Sequence, residues 1–165
     1  MKEHFRWLAA AIAAHKDRKV VGRTRLQEEI KLLQRLGYPT EYLYTLFFYG
    51  PYSEGLHAEV RFLQAFGLVT EEERSSQQGD TYFVLTALPD AVMPETDRYQ
   101  RFIDLMQDAD AVVLELAATY DMFRTMKSDH EDAMMRLRRK KGAKCDNGND
   151  KKALELLREL GLPSS

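Results

Sequence analysis

The side chains that could carry out chemistry in this chain are few and widely spaced. They are the one cysteine and the four histidines: Cys145, His4, His15, His57 and His130. Nucleophilic catalysis needs a hydroxyl or thiol beside a base, and zinc sites need His or Cys at close spacing. None of the histidines has a second histidine or a cysteine at ligand spacing on one helix. The sequence therefore makes an enzyme the least supported class, and it predicts no catalytic residue.

Two further groups of side chains invite a chemical interpretation. Asp129, Glu131 and Asp132 flank His130, which suggests a metal site, but acidic residues are also favoured in the first turn of a helix. Glu115 stands among apolar residues, so we expect it to be half buried and paired with an arginine, or less readily a tuned acid. The nine glycines are dispersed and form no phosphate-binding loop. No metal and no cofactor are predicted.

Cys145 follows Lys144, whose charge would lower the pKa of the thiol. We interpret it as an incidental thiol in an exposed loop. A single cysteine excludes an internal disulfide, and this fits a reducing cytoplasm.

Composition limits the class of protein further. The chain has 165 residues, of which 44% are hydrophobic and 30% charged, with a net charge of −2. This charge gives no overall attraction to nucleic acid or to acidic membranes. The apolar run from Leu8 to Ala14 is too short to span a bilayer, and we interpret the N-terminal segment as a helix and not a signal peptide.

Periodicity in the first half predicts helices, turns and a hairpin. Helices are expected at 3–16, 24–36 and 54–66, with Thr24 and Ser53 as N-caps and Gly37 as a left-handed stop. Gln27 completes a capping box with Thr24, and on helix 54–66 the side chains of Leu56, Val60, Leu63 and Phe66 should face inward. Gly50-Pro51 should end an extended aromatic segment at 42–52. Alternation over 68–73 and 81–86 predicts two strands around a polar loop.

The second half is predicted to be helical throughout. Helices are expected at 96–108, 109–126, 128–141 and 150–160, the last two capped by Ser128 and Asp150. The fold class is therefore α+β and mainly helical. A winged-helix-like core (helix, helix, short β-hairpin wing) with its N-terminal helix would occupy 1–88, and a helical extension 95–162 would pack on it.

Several motifs of this chain resemble the YwgA-like family of prokaryotic proteins. The resemblance begins with Tyr49-Gly50-Pro51-Tyr52-Ser53, continues through Leu56 and Leu63 to Gly67-Leu68-Val69, and includes Leu114–Thr119 and Ala153–Leu162. Around the aromatic turn alone, the chain is distantly similar to the SocA or Panacea antitoxin-type domains.

The resemblance implies a winged-helix-like core, a helical C-terminal part and a regulatory or interaction role. It implies no catalytic residues. Similarity to SocA-like domains would imply neutralising a toxin or adapting a client protein to a protease.

The surface that reads DNA in many winged helices carries the wrong charge here. Helix 54–66 offers Glu54, His57 and Arg61 among its outward candidates, and segment 71–80 has four acids against Arg74, a net charge of −3. Such a surface would repel phosphate. The usual DNA-binding mode is therefore disfavoured.

Positive charge is concentrated instead between Arg136 and Lys152, where eight cations and two acids give a net charge of +6. Three explanations stay open: complementing a helix dipole, binding a nucleic-acid backbone, or pairing with the acidic surface of a partner or second copy. The candidate nucleic-acid contacts are Arg136, Arg138, Arg139, Lys140, Lys141 and Lys144.

Seven of the seventeen aromatic residues lie between Tyr38 and Tyr52. The core accounts for about half of them, and tyrosines left at the surface suit a protein interface. We therefore predict a regulatory or adaptor module that binds a protein partner through Tyr49, Tyr52, Glu54, His57 and Arg61. A nucleic-acid-binding regulator is the alternative, and a homodimer is also open.

Overall fold

The computed structural model describes residues 4–48, 50–89 and 93–165, with the backbone alone for His4. It confirms a mainly helical α+β protein. Its helices and strands, in chain order, are α1 (His4–Ala13), β1 (Lys19–Val21), α2 (Arg23–Arg35), β2 (Thr45–Phe47), β3 (Gly50–Tyr52), α3 (Glu54–Ala65), β4 (Val69–Ser75), β5 (Thr81–Ala87), α4 (Gln100–Gln107), α5 (Ala111–Thr125), α6 (His130–Lys141) and α7 (Asn149–Leu160). Within the described residues, no helix is long and apolar enough to cross a membrane.

Strands β1, β5 and β4 form an antiparallel sheet in that order. The β4–β5 hairpin confirms the prediction from alternation, with Glu72 opposite Val84. Strand β1 was not predicted, because its three residues, Lys19-Val20-Val21, show no alternation of polar and apolar types in the sequence, although only Val20 is buried in the structure. It is fixed by pairing across the chain, with Val20 opposite Leu85.

The aromatic segment folds back on itself as a second, two-stranded ribbon. Leu46 pairs with Pro51 and Phe47 with Gly50. The prediction that Gly50-Pro51 ends the extended segment is wrong, because an edge strand tolerates a proline that has no amide to donate. Gly50 has φ +119°, and a Cβ there would lie 3.0 Å from Thr119 Oγ1 of α5, so the ribbon requires glycine at this position.

Several helix ends follow the predicted signals. Ser53 caps α3, and its Oγ accepts a hydrogen bond from the Leu56 amide at 3.2 Å. Gly37 and Gly161 end α2 and α7 with positive φ. Three N-caps differ from the prediction: Gly22 instead of Thr24, Asp129 instead of Ser128, and Gly148 instead of Asp150.

The hydrophobic core gathers residues from both halves of the chain. Leu8, Ile30, Leu56, Leu85 and Leu116 are all within 1% of full burial. Helix α5 is central and packs against α2, α6 and α7. The boundary between 1–88 and 95–162 stays a prediction.

On α3, the predicted core positions Leu56, Val60 and Leu63 are buried. The inward placement of Phe66 is wrong: this C-cap residue is 64% exposed. The C-terminal end of α3 therefore carries an exposed aromatic ring, which packs against Phe62 with ring centres 4.3 Å apart.

Candidate protein-binding groove

A groove of about 390 Å³ lies between α2, the β2–β3 ribbon, α3 and the β4–β5 hairpin. Buried side chains of Leu26, Leu56 and Leu85 contribute its apolar wall. Its polar lining comes from several elements: Arg23, Thr24, Gln27, Tyr52, Glu54, His57, Arg61, Gln64 and Glu71. The groove thus presents apolar surface together with both signs of charge.

A buried amide clamp fixes the position of α3 relative to α2. Gln27 Nε2 donates to the Ser53 carbonyl at 2.9 Å, and the Ser53 amide donates to Gln27 Oε1 at 2.9 Å. The sequence predicted Gln27 as part of a capping box for α2, but it serves this longer-range contact instead. Since Ser53 also caps α3, the clamp orients the residues on either side of it, Tyr52 and Glu54.

The wall of the groove formed by the start of α2 and by strand β4 is organised around Arg23. Its Nε donates to Glu71 Oε2 at 3.0 Å, and its guanidinium carbon lies 3.7 Å from the centre of the Phe83 ring. Hydrogen bonding to Glu71 is the main cause that raises the pKa of Arg23. Glu71 thus offsets the positive charge of Arg23 within this wall.

Aromatic side chains of the ribbon border the groove. The ring of Tyr52 lies 5.5 Å from that of Phe47 and 6.4 Å from that of His57, centre to centre. Phe47 is 52% exposed and Phe48 is 85% exposed. Phe47 and Tyr52 line the groove, and Phe48 lies next to Phe47 with ring centres 6.2 Å apart; we call these three residues the aromatic rim. Its exposure contrasts with Tyr38 and Tyr42, which belong to the core.

The structure brings four of the five predicted protein-contact residues to this groove: Tyr52, Glu54, His57 and Arg61. Tyr49 lies outside the described residues. The sequence did not identify Arg23, Gln27 and Glu71 as neighbours of the groove, because pairing between α2, the ribbon and β4 creates that proximity.

Intramolecular ion pairs occupy much of the basic segment. Arg136 Nε lies 3.1 Å from Asp132 Oδ2, and Arg138 Nη2 lies 3.2 Å from Asp150 Oδ2. Arg139 and Lys140 are exposed and have no ion pair among the described residues. The charge available to a ligand is therefore smaller than the composition suggested.

Lysines 141 and 144 converge on Glu115, which is 8% exposed. Lys144 Nζ donates to Glu115 Oε2 at 2.9 Å, and Lys141 Nζ lies 3.5 Å from the same oxygen. Pairing of Glu115 with an arginine is thus corrected to pairing with these two lysines. Lys141 is itself buried and donates to the Phe48 carbonyl at 3.3 Å, which links α6 to the ribbon.

The other residues that the sequence singled out for chemistry, Cys145 and the acidic group around His130, occupy structural positions. Cys145 is buried and not in an exposed loop, and burial raises the pKa of its thiol, which corrects the predicted lowering. The Asp129 side chain accepts from the Asp132 amide at 2.9 Å, as a helix cap does. Among the described residues, no three His, Cys, Asp or Glu side chains are grouped to hold a metal.

Helix α2 carries buried titratable side chains that the sequence pattern does not reveal. His15 Nε2 lies 2.6 Å from Glu29 Oε2. Glu28 is 3% exposed, and its Oε2 has no hydrogen-bond partner within the described part of the chain. Burial, reinforced by the negative charge of Glu115, raises the pKa of Glu28 to about 8. Packing of α2 against α5, which carries Glu115, contributes to this environment.

Comparison with known proteins gives one relationship that spans most of the chain. The chain is 26% identical over 147 residues to the uncharacterized protein YwgA of Bacillus subtilis (strain 168), which covers 86% of this chain and 88% of the relative. This similarity supports a YwgA-like relationship. No family model matches the chain, and no solved structure matches it significantly.

Proposed function

We propose that this protein is a non-enzymatic regulatory or adaptor module that binds a segment of another protein in the groove. The observation that carries the proposal is the juxtaposition of the aromatic rim with an apolar groove whose walls bear Glu54, His57 and Arg61. Aromatic side chains and arginine dominate binding energy in protein interfaces. The groove, with its aromatic rim and its charged walls, suits a partner segment that has an apolar side chain flanked by polar ones.

We further propose that the core is a winged helix into which the β2–β3 ribbon is inserted between α2 and α3. The order of the other elements (α1, β1, α2, α3, β4, β5) and the strand order β1-β5-β4 support this proposal. In that plan α3 and the β4–β5 wing form the outer binding surface. An antitoxin-like role, as in SocA-like domains, is one form the proposal takes, with a toxin or protease client as partner.

Selection of displayed random peptides against the protein tests the proposal. We expect peptides that compete for one site, and we expect Tyr52→Ala to weaken their binding about tenfold or more, as for a central aromatic contact. Tyr82→Ala is the control, because Tyr82 is also half exposed but lies on β5, away from the groove lining. Equal effects of both substitutions, or no selected peptide, would contradict the proposal.

The alternative is a nucleic-acid-binding regulator that contacts phosphate through the basic segment. The exposed Arg139 and Lys140 favour it, since they have no ion pair among the described residues. Anisotropy titrations with DNA and RNA duplexes should then show affinity that falls steeply with salt and drops on R139Q/K140Q substitution. Absence of binding at low salt would eliminate this alternative.

A further inference from the structure

A second cavity, of about 330 Å³, lies where α2, α5 and the segment before β2 meet. It is lined by Lys31, Gln34, Arg35, Tyr44, Met122 and Thr125. This lining contains two cations and no carboxylate. We call it the Lys31–Arg35 cleft, and it lies apart from the groove, with which it shares no lining residue.

Asp121 organises the positive charge at this cleft. Its carboxylate is fully buried and contacts both Lys31 Nζ and Arg35 Nε, the latter at 3.0 Å. Lys31 and Arg35 together carry one more formal positive charge than the single carboxylate of Asp121 neutralises, although burial lowers the pKa of Lys31. Lys31 uses one N–H toward Asp121, and Arg35 uses its Nε–H, which leaves further donors on both.

Tyr44 adds a neutral donor to the same cleft. Its hydroxyl oxygen is buried and has no hydrogen-bond partner among the described residues. Burial raises the pKa of Tyr44 above its ordinary value, so the hydroxyl stays protonated and able to donate. A buried polar group without a partner is unfavourable, and a ligand oxygen would relieve that cost.

The backbone before Tyr44 is held in place independently of any ligand. Gln34 Nε2 donates to the Tyr42 carbonyl at 3.0 Å, while its Oε1 accepts from the Tyr42 amide and the Thr40 hydroxyl, both at 2.9 Å. These bonds use both lone pairs of the Gln34 amide oxygen and one of its two N–H donors. They fix the segment that contributes Tyr44 to the lining of the cleft.

We propose that the Lys31–Arg35 cleft binds a small molecule bearing an oxyanion, a phosphate or a carboxylate. Unused donors of Lys31 and Arg35, together with the Tyr44 hydroxyl, receive the oxyanion, because guanidinium and ammonium groups form strong charge-assisted bonds with such oxygens. The Met122 side chain and the Tyr44 ring contact the apolar remainder of the ligand. This site goes beyond the proposed partner binding and does not depend on it.

Calorimetric titration with inorganic phosphate and, separately, succinate tests the proposal, with sodium chloride added to match ionic strength. We expect saturable one-site binding of at least one probe, and about tenfold weaker binding for Arg35→Gln. Tyr44→Phe should weaken it severalfold. Binding of phosphate alone would assign a phosphorylated ligand, and binding of succinate alone a carboxylate.

The control is Arg101→Gln, which removes an exposed cation of α4 outside the cleft and should leave binding unchanged. Tyr44→Phe removes a hydroxyl that makes no hydrogen bond among the described residues, so it should preserve the fold and stay interpretable if Arg35→Gln does not fold. The proposal is overturned if neither probe saturates, if Tyr44→Phe binds as the parent does, or if Arg101→Gln weakens binding as much as Arg35→Gln does.

Discussion

Glu28 is a buried carboxyl whose ionisation is costly for stability. It is buried on α2, the negative charge of Glu115 adds to the cost of ionising it, and the positive charges of Arg25 and Lys141 compensate only in part. A carboxyl whose pKa is raised on folding stabilises the protein only while it stays protonated. The contribution of Glu28 to the free energy of unfolding is therefore complete below the pKa of the unfolded state, near 4.5. It is lost as the pH rises through the folded pKa of about 8.

We predict that Glu28→Gln raises the free energy of unfolding at pH 8 by about 1–3 kcal/mol, because the amide needs no ionisation. It should also flatten the fall in stability between about pH 5 and 8. Urea denaturation at several pH values measures both effects. Glu73→Gln, at an exposed site on β4, is the control and should change neither. An unchanged pH profile for Glu28→Gln would contradict this account.

His15 adds a pH dependence of the same direction. Burial acts to lower the pKa of His15, but the hydrogen bond and charge of Glu29 outweigh it and raise the pKa. The stability from this pair is present below pH 6.5 and is lost as the pH rises through the folded value. His15→Gln should therefore destabilise the protein more at pH 5.5 than at pH 8.5, as denaturation curves would show. A larger loss at pH 8.5 would be inconsistent with a paired histidinium.

At the scale of elements, α3 depends on one serine that has two functions. Ser53 caps the helix through its side chain and bonds to Gln27 through its backbone. Substitution by alanine removes the cap alone, which typically costs about 1 kcal/mol. Thermal or urea unfolding of Ser53→Ala should show this loss, whereas Ser75→Ala, at an exposed site on β4, should show almost none. Equal stability of the two variants would contradict the capping role.

The β2–β3 ribbon depends on a contact from outside it. Lys141 of α6 is buried and donates to the Phe48 carbonyl, while Gly50 lies against Thr119 of α5. We predict that Lys141→Met accelerates hydrogen exchange of the backbone amides in strands β2 and β3, because the ribbon loses its link to α6. Exchange in β4 and β5 should stay unchanged. Lys140→Met is the matched control, and equal exchange in both variants would contradict the link.

Elements with strong local signals could be predicted from the sequence. The Ser53 cap, the leucines of α3 and the alternation of β4 and β5 are local properties, and the structure confirms them. Strand β1 and the ribbon could not be predicted, because each has three-residue strands that pair with partners selected by the tertiary fold. His57 and Arg61 could therefore be predicted as neighbours, because both lie on α3. Arg23 and Glu71 could not, because the tertiary fold brings them to the groove from α2 and β4.

At the scale of the whole molecule, charge is divided between surfaces. The β4–β5 hairpin and its turn are acidic, with a net charge of −3 over 71–80, whereas exposed cations remain on α6 and after it. This distribution disfavours phosphate at the groove and favours a partner recognised by apolar contact. Charge complementarity with another chain would then adjust the association rate more than the affinity.

We expect the groove to receive a segment of another protein. A photo-crosslinking amino acid placed at Phe48 of the aromatic rim, in the native cells, tests this. A control probe goes at Met135 of α6, which is 50% exposed and outside the groove lining. We expect a discrete protein adduct at position 48 that is absent at position 135 and lost on Tyr52→Ala. The same adducts at both positions, or none at position 48, would contradict it.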